Sequence, residues 1–144
     1  MSEDLKTKKI ILFDGVCALC NNFIVFIAKN DKKNIFKFLP LQNKNINQFI
    51  DAKNINIKNL KSIILIEDNN LKYKSNAAIE ILINLNNLYL LCKIFYIIPK
   101  KIRDMAYELI AKNRYRVFGK VENCSIIKSK VNSEILKNKI ISDL

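Results

Sequence analysis

Apolar and polar positions alternate along the chain in blocks that can be read one at a time. Residues 9–13, Lys-Ile-Ile-Leu-Phe, form a short apolar run stopped by Asp14-Gly15, which predicts a buried strand and a turn. From Ala18 to Lys29 the apolar residues Leu19, Phe23, Phe26 and Ile27, widened by Ile24 and Val25, predict a largely buried helix. Residues 35–41 predict a second strand ended by Pro40, and Ile46, Phe49 and Ile50 mark a short helix. The β-branched run 62–68 predicts a third strand, with 71–74 as its antiparallel hairpin partner. Ser75 is expected to cap the next helix, with Glu80 in support and Ile79, Leu82 and Ile83 on its inner side. Residues 88–98 are apolar apart from Lys93, but 11 residues are too few to span a bilayer. Pro99 opens a helix whose apolar stripe is Ile102, Met105, Ala106, Leu109 and Ile110. The segment after Asn113 has no clear period, and the tail 129–144 predicts a last amphipathic helix through Val131, Ile135, Leu136 and Ile140.

A strand-helix-strand start requires a parallel pair with a right-handed crossover. Adding the later hairpin gives a four-stranded mixed sheet with helices on both faces, an α/β thioredoxin-like arrangement with extra C-terminal helices. The 144 residues are expected to form a single domain, with a core at about 8–125 and a C-terminal tail at 126–144.

Half the residues are hydrophobic, which excludes a disordered chain. The formal net charge is +12, which points to nucleic acid or an anionic membrane. Against nucleic acid, the lysines are spread thinly and no basic motif interleaved with aromatic residues is present. Lys, Asn and Ile saturate the chain, a bias that AT-rich codons produce without any binding role. Four cysteines are too few for a disulfide-stapled scaffold, and a charged N-terminus without a signal peptide favours the cytoplasm. There is no histidine, which removes the commonest general base and the commonest metal ligand together.

Cys17 and Cys20 therefore stand out. They follow the first strand and its turn, where an open α/β sheet places chemistry and where helix amides favour a thiolate. One turn separates them, so they can close a small disulfide. Cys17 is expected to be the exposed nucleophile, and Cys20 the more buried resolving thiol. A metal site would need two further ligands from Cys92, Cys124 or carboxylates. Cys92, amid Leu90, Leu91 and Ile94, is expected to pack as a small hydrophobe. Asp14 reads either as a turn and cap residue or as a proton acceptor for one of the thiols.

The stretch Leu-Phe-Asp-Gly-Val-Cys-Ala-Leu-Cys-Asn resembles the signature of the DCC-type thiol-disulfide oxidoreductase family, with Asp14, Cys17 and Cys20 at its matching positions. The blocks around 62–79 and 110–124 also resemble that family, so the likeness runs over residues 8–125. It implies a thioredoxin-like fold, a disulfide oxidoreductase role and no cofactor, since the cysteines carry the electrons. It also carries over Arg114, Arg116, Gly119, Lys120 and Cys124: the basic residues as a cluster stabilising the thiolate, Cys124 as an accessory thiol. The implied partners are disulfide-containing proteins or small-molecule thiols and an electron donor. Lys61-Ser62 stand where thioredoxins carry a proline that docks extended substrates, so partners dock differently or only small disulfides react. The rival reading is a non-catalytic binding protein, holding a metal on its cysteines or docking to an anionic membrane through its lysines and residues 88–98.

Overall fold

The computed structural model describes residues 8–56, 60–68, 70–121 and 138–141. The elements run β1 (Lys9–Phe13), α1 (Ala18–Asn30), β2 (Phe36–Pro40), α2 (Ile46–Ala52), β3 (Ile64–Glu67), β4 (Asn70–Tyr73), α3 (Lys74–Leu85), a 3-10 helix (Asn87–Ile97) and α4 (Lys100–Phe118). The sheet order is β2-β1-β3-β4. β1 pairs parallel with β2 and antiparallel with β3, and β3 pairs antiparallel with β4. This is the four-stranded mixed sheet of a thioredoxin-like fold, with helices appended at its C-terminal side.

The apolar run of β1 is explained by its central position. Ile11 and Phe13 face one side and pack with Ile24, Ile27 and Ala28 of α1 and Ala77, Ile81 and Leu85 of α3. Ile10 and Leu12 face the other side and pack with Ile46, Phe49 and Ile50 of α2. A strand covered on both faces needs hydrophobic residues at successive positions rather than alternate ones. Pro40 sits at the end of β2, an outer strand, where its missing N–H costs no ladder bond.

Several expectations change. Ser75 does not cap α3: the helix begins at Lys74, and the Ser75 hydroxyl donates to Asp104 of α4 at 2.5 Å. The α4 helix runs past Asn113 to Phe118. Its apolar stripe is not its buried face, since Ile102 (56%), Met105 (70%) and Leu109 (64%) are exposed. The inward face is polar because its groups find partners. Arg103 donates to Asn76 at 2.9 Å, Tyr107 accepts the Ile63 N–H at 2.9 Å, and Arg114 reaches the β1–α1 turn. The 3-10 helix buries no residue fully, and the Cys92 thiol is half-buried beside exposed Leu91 and Ile94 rather than in the core. Most of the expected tail helix lies outside the described residues. Within them, Ile140 makes a parallel bridge to Phe38 on the edge of β2 and is not helical. Among the described residues no helix is both long and apolar enough to cross a membrane.

That edge is clamped by a buried ion pair. Lys139 Nζ meets Asp31 at 2.5 Å, and Asp31 also accepts the Ile35 and Phe36 N–H groups at 3.1 and 3.0 Å. Removing one partner of such a pair strands the other charge. Asp31→Ala should therefore lower the unfolding free energy by about 3–5 kcal/mol in urea melts. Lys139→Met should cost clearly less, because Asp31 keeps two amide donors.

Candidate active site

The turn between β1 and α1 is organised by Asp14. Its Oδ1 accepts the Val16 N–H at 3.0 Å and the Gln42 side-chain amide at 3.1 Å. Its Oδ2 accepts Arg114 Nη2 at 3.0 Å and the Tyr115 hydroxyl. Four donors fill the roughly four lone-pair sites of a carboxylate, so none is left for a thiol proton. This geometry fits the turn role for Asp14 better than the proton-acceptor role. Gln42 also accepts the Gly15 N–H at 2.9 Å, and buried Asn21 donates to the Gly15 carbonyl at 2.8 Å. The turn is thus held from the loop after β2, from α1 and from α4.

Cys17 is the N-cap of α1, and its Sγ accepts the Cys20 N–H at 3.2 Å. This is a cysteine in the place where serine or aspartate usually caps, and the helix terminus favours negative charge there. The expected exposures are reversed: Cys17 has no accessible surface, while Cys20 is half-buried. The cause is a backbone crossing. Lys120 bridges Cys17, Val121 donates to the Val16 carbonyl at 2.9 Å, and Ala18 donates to the Gly119 carbonyl at 3.4 Å. Gly119 makes the turn into this crossing at φ +81°, a conformation that glycine adopts without strain.

Burial pushes the Cys20 thiol well above its ordinary range, and the hydrogen bond and charge of Cys17 push it further. Arg114 opposes this from 3.9 Å, and Asp14 adds a smaller upward push. Arg114 itself is buried and donates to the Lys61 carbonyl at 2.7 Å, where the sequence lacks the expected proline. Tyr107 lies close by, and burial raises its phenol to about 12. Burial and the hydrogen bond to Asp14 likewise hold the Tyr115 hydroxyl in its protonated, donating form.

Of the basic residues carried over, only Arg114 reaches the dithiol. Arg116 is exposed and makes no hydrogen bond or ion pair with Asp14, Cys17 or Cys20. Lys120 takes part through its backbone, and its Nζ lies 4.7 Å from the Tyr115 ring centre rather than on a sulfur. Cys124 lies outside the described residues. Among those residues no group of three or more His, Cys, Asp or Glu side chains gathers where a metal could sit. Tyr107, Tyr115, Gln42 and Asn21 were not singled out from the sequence. The spacing of Arg103, Tyr107 and Arg114 along one helix face beside the apolar stripe was the signal for Tyr107. Gln42 and Asn21 had none.

The site is thus a dithiol at the strand-to-helix junction of a thioredoxin-like sheet, with a buried arginine beside it. The sequence matches the DCC1-like thiol-disulfide oxidoreductase family over residues 11–120, and the chain belongs to that family. It is 34% identical over 136 residues to the uncharacterized protein YuxK of Bacillus subtilis, covering 94% of this chain and 99% of that one. It is 29% identical over 120 residues to a chloroplastic DCC family protein of Arabidopsis thaliana, covering 83% of this chain and 70% of that one. No solved structure matches significantly.

The causes of the Cys20 shift predict two opposite responses. In Cys17→Ser the hydrogen bond and charge from the neighbouring sulfur are lost, so the pH midpoint of Cys20 alkylation should fall. In Arg114→Met the stabilising cation is lost, so it should rise. Iodoacetamide pH-rate profiles, resolved by peptide mass spectrometry, check both.

Proposed function

We propose that the protein carries out dithiol-disulfide exchange through Cys17 and Cys20. The observation that supports this most is the Cys20 amide donating to Cys17 Sγ at the start of α1. It sets the two sulfurs within one turn of each other at a helix N-terminus, and burial favours the protonated form of Cys20. With residues 119–121 across it, Cys17 attacks an outside disulfide only once that crossing parts. The sulfur already open to a substrate is Cys20. Two electrons leave the dithiol when the disulfide closes, together with whatever protons the two sulfurs carry, and no cofactor is required. Asp14 and Arg114 act as positioning residues, fixing the turn and facing Cys20 with a cation. The expected partners are thiols and disulfides, and the expected compartment is the cytoplasm.

Turnover of a disulfide substrate by wild type, Cys17→Ser and Cys20→Ser separates this reading from a scaffold role. Both variants should fall to the background rate. Equal activity in all three would remove exchange as the function.

One observation favours docking to an anionic membrane as a second reading: Leu88, Leu91, Ile94 and Ile97 are 70%, 77%, 64% and 79% exposed on a chain of net charge +12. Apolar side chains beside lysines suit the headgroup boundary of such a surface. On this reading the protein floats with phosphatidylserine-containing liposomes at physiological salt, and Ile94→Asp with Ile97→Asp abolishes flotation. Wild type remaining at the bottom of the gradient would end it.

A further inference from the structure

Beside the dithiol lies a cavity of about 320 Å³, at the lower end of the size range of small-ligand sites. Its walls include Phe13, Leu19, Ile63, Ala78, Ile110 and Ala111. Cys20 is part of the wall, and Cys17 is not. The ionic groups at the cavity, Asp14 and Arg114, neutralise each other at 3.0 Å, and Cys20 is an uncharged thiol. The cavity therefore has no net charge with which to hold a charged ligand head. Leu19 and Ile110 also line an outer groove with Leu109, Val117 and Phe118. The groove on the outside of α4, which Asn113 also lines, and the cavity that holds Cys20 thus share two apolar walls.

We propose that this cavity binds small thiols with an uncharged, apolar body and presents their sulfur to Cys20. The proposal rests on the exchange reading above and names its substrate class. A sulfur carried in the cavity meets Cys20 first, with Cys17 behind it. In the oxidised protein the incoming thiol loses its proton to solvent, and its thiolate attacks Cys20 Sγ. A substrate-Cys20 bond forms, the Cys17–Cys20 bond breaks, and Cys17 leaves as the thiolate that the Cys20 amide holds. A second substrate thiolate attacks the substrate sulfur of this mixed disulfide. Cys20 leaves facing Arg114 and takes up a proton. Two thiols have become one disulfide, and their two electrons rest on the protein dithiol; the oxidant is the protein's own disulfide. The same path runs in reverse.

The test uses oxidised full-length protein with ethanethiol and 1-butanethiol, two thiols of similar acidity that differ by two methylenes. Reduction of the Cys17–Cys20 disulfide is followed in a single turnover by acid quench, alkylation and mass spectrometry. Burying two methylenes should make butanethiol roughly tenfold faster. Filling the cavity with Ala111→Phe, or from the other side with Ala78→Leu, should bring the ratio close to one in a variant that melts cooperatively. A wild-type ratio near one, or a ratio kept in both filled variants, overturns the proposal. With dibutyl disulfide, Cys17→Ser should trap the butylthio group on Cys20; faster trapping on Cys17 in Cys20→Ser overturns the order of attack. Dibutyl sulfide, which has the same body but no disulfide, should raise the melting temperature of wild type and not of Ala111→Phe. If no thiol reduces the protein, the exchange reading fails, and this shift alone decides the cavity: its absence overturns that too.

Discussion

The ion pair between Asp14 and Arg114 is the contact on which the site depends. It joins the turn after β1 to the far end of α4, residues that are 100 positions apart in the chain. Both partners are largely buried, so their attraction is poorly screened and loss of either would strand a charge. Through its second amine Arg114 also holds the Lys61 carbonyl, which fixes the approach to β3. One guanidinium thus positions three segments around Cys20. The polar inner face of α4 follows from this requirement: the face that carries the buried arginine to the dithiol leaves Ile102, Met105 and Leu109 turned away from it.

That arrangement explains which parts of the fold were legible in the sequence. Strands β1 and β3 could be read because a strand buried on both faces must be apolar at successive positions. The helix α1 could be read because a wide apolar face at a 3.6-residue period has few other uses. Reading the stripe of Ile102, Met105 and Leu109 as core failed, because periodicity reports amphipathicity and not which face is covered. Ser75 was misread as a cap for a related reason. A short hydroxyl beside a helix start can serve any acceptor within reach, and Asp104 is one that only the tertiary structure supplies.

In the site, Asp14, Cys17 and Cys20 were visible as a local pattern, and local patterns survive without knowledge of the fold. The exposure of the two sulfurs was not visible, since it depends on residues 119–121, a hundred positions downstream. Arg114 was recoverable only through its family resemblance, and Arg116, two residues away, shared that resemblance without sharing the site. A helix turns about 200° over two residues, so neighbours in sequence face opposite ways.

The sealing of Cys17 has a consequence for damage as well as for access. A thiolate open to solvent is oxidised by peroxide to sulfenic acid, and further oxidation to sulfinic acid is effectively irreversible. Here Cys17 has no surface for peroxide to reach, while burial holds the accessible sulfur, Cys20, toward its protonated form. Of two sulfurs one helical turn apart, one is shielded by the fold and the other by its proton. A crossing of three residues is enough to keep one sulfur of the pair out of reach of irreversible oxidation.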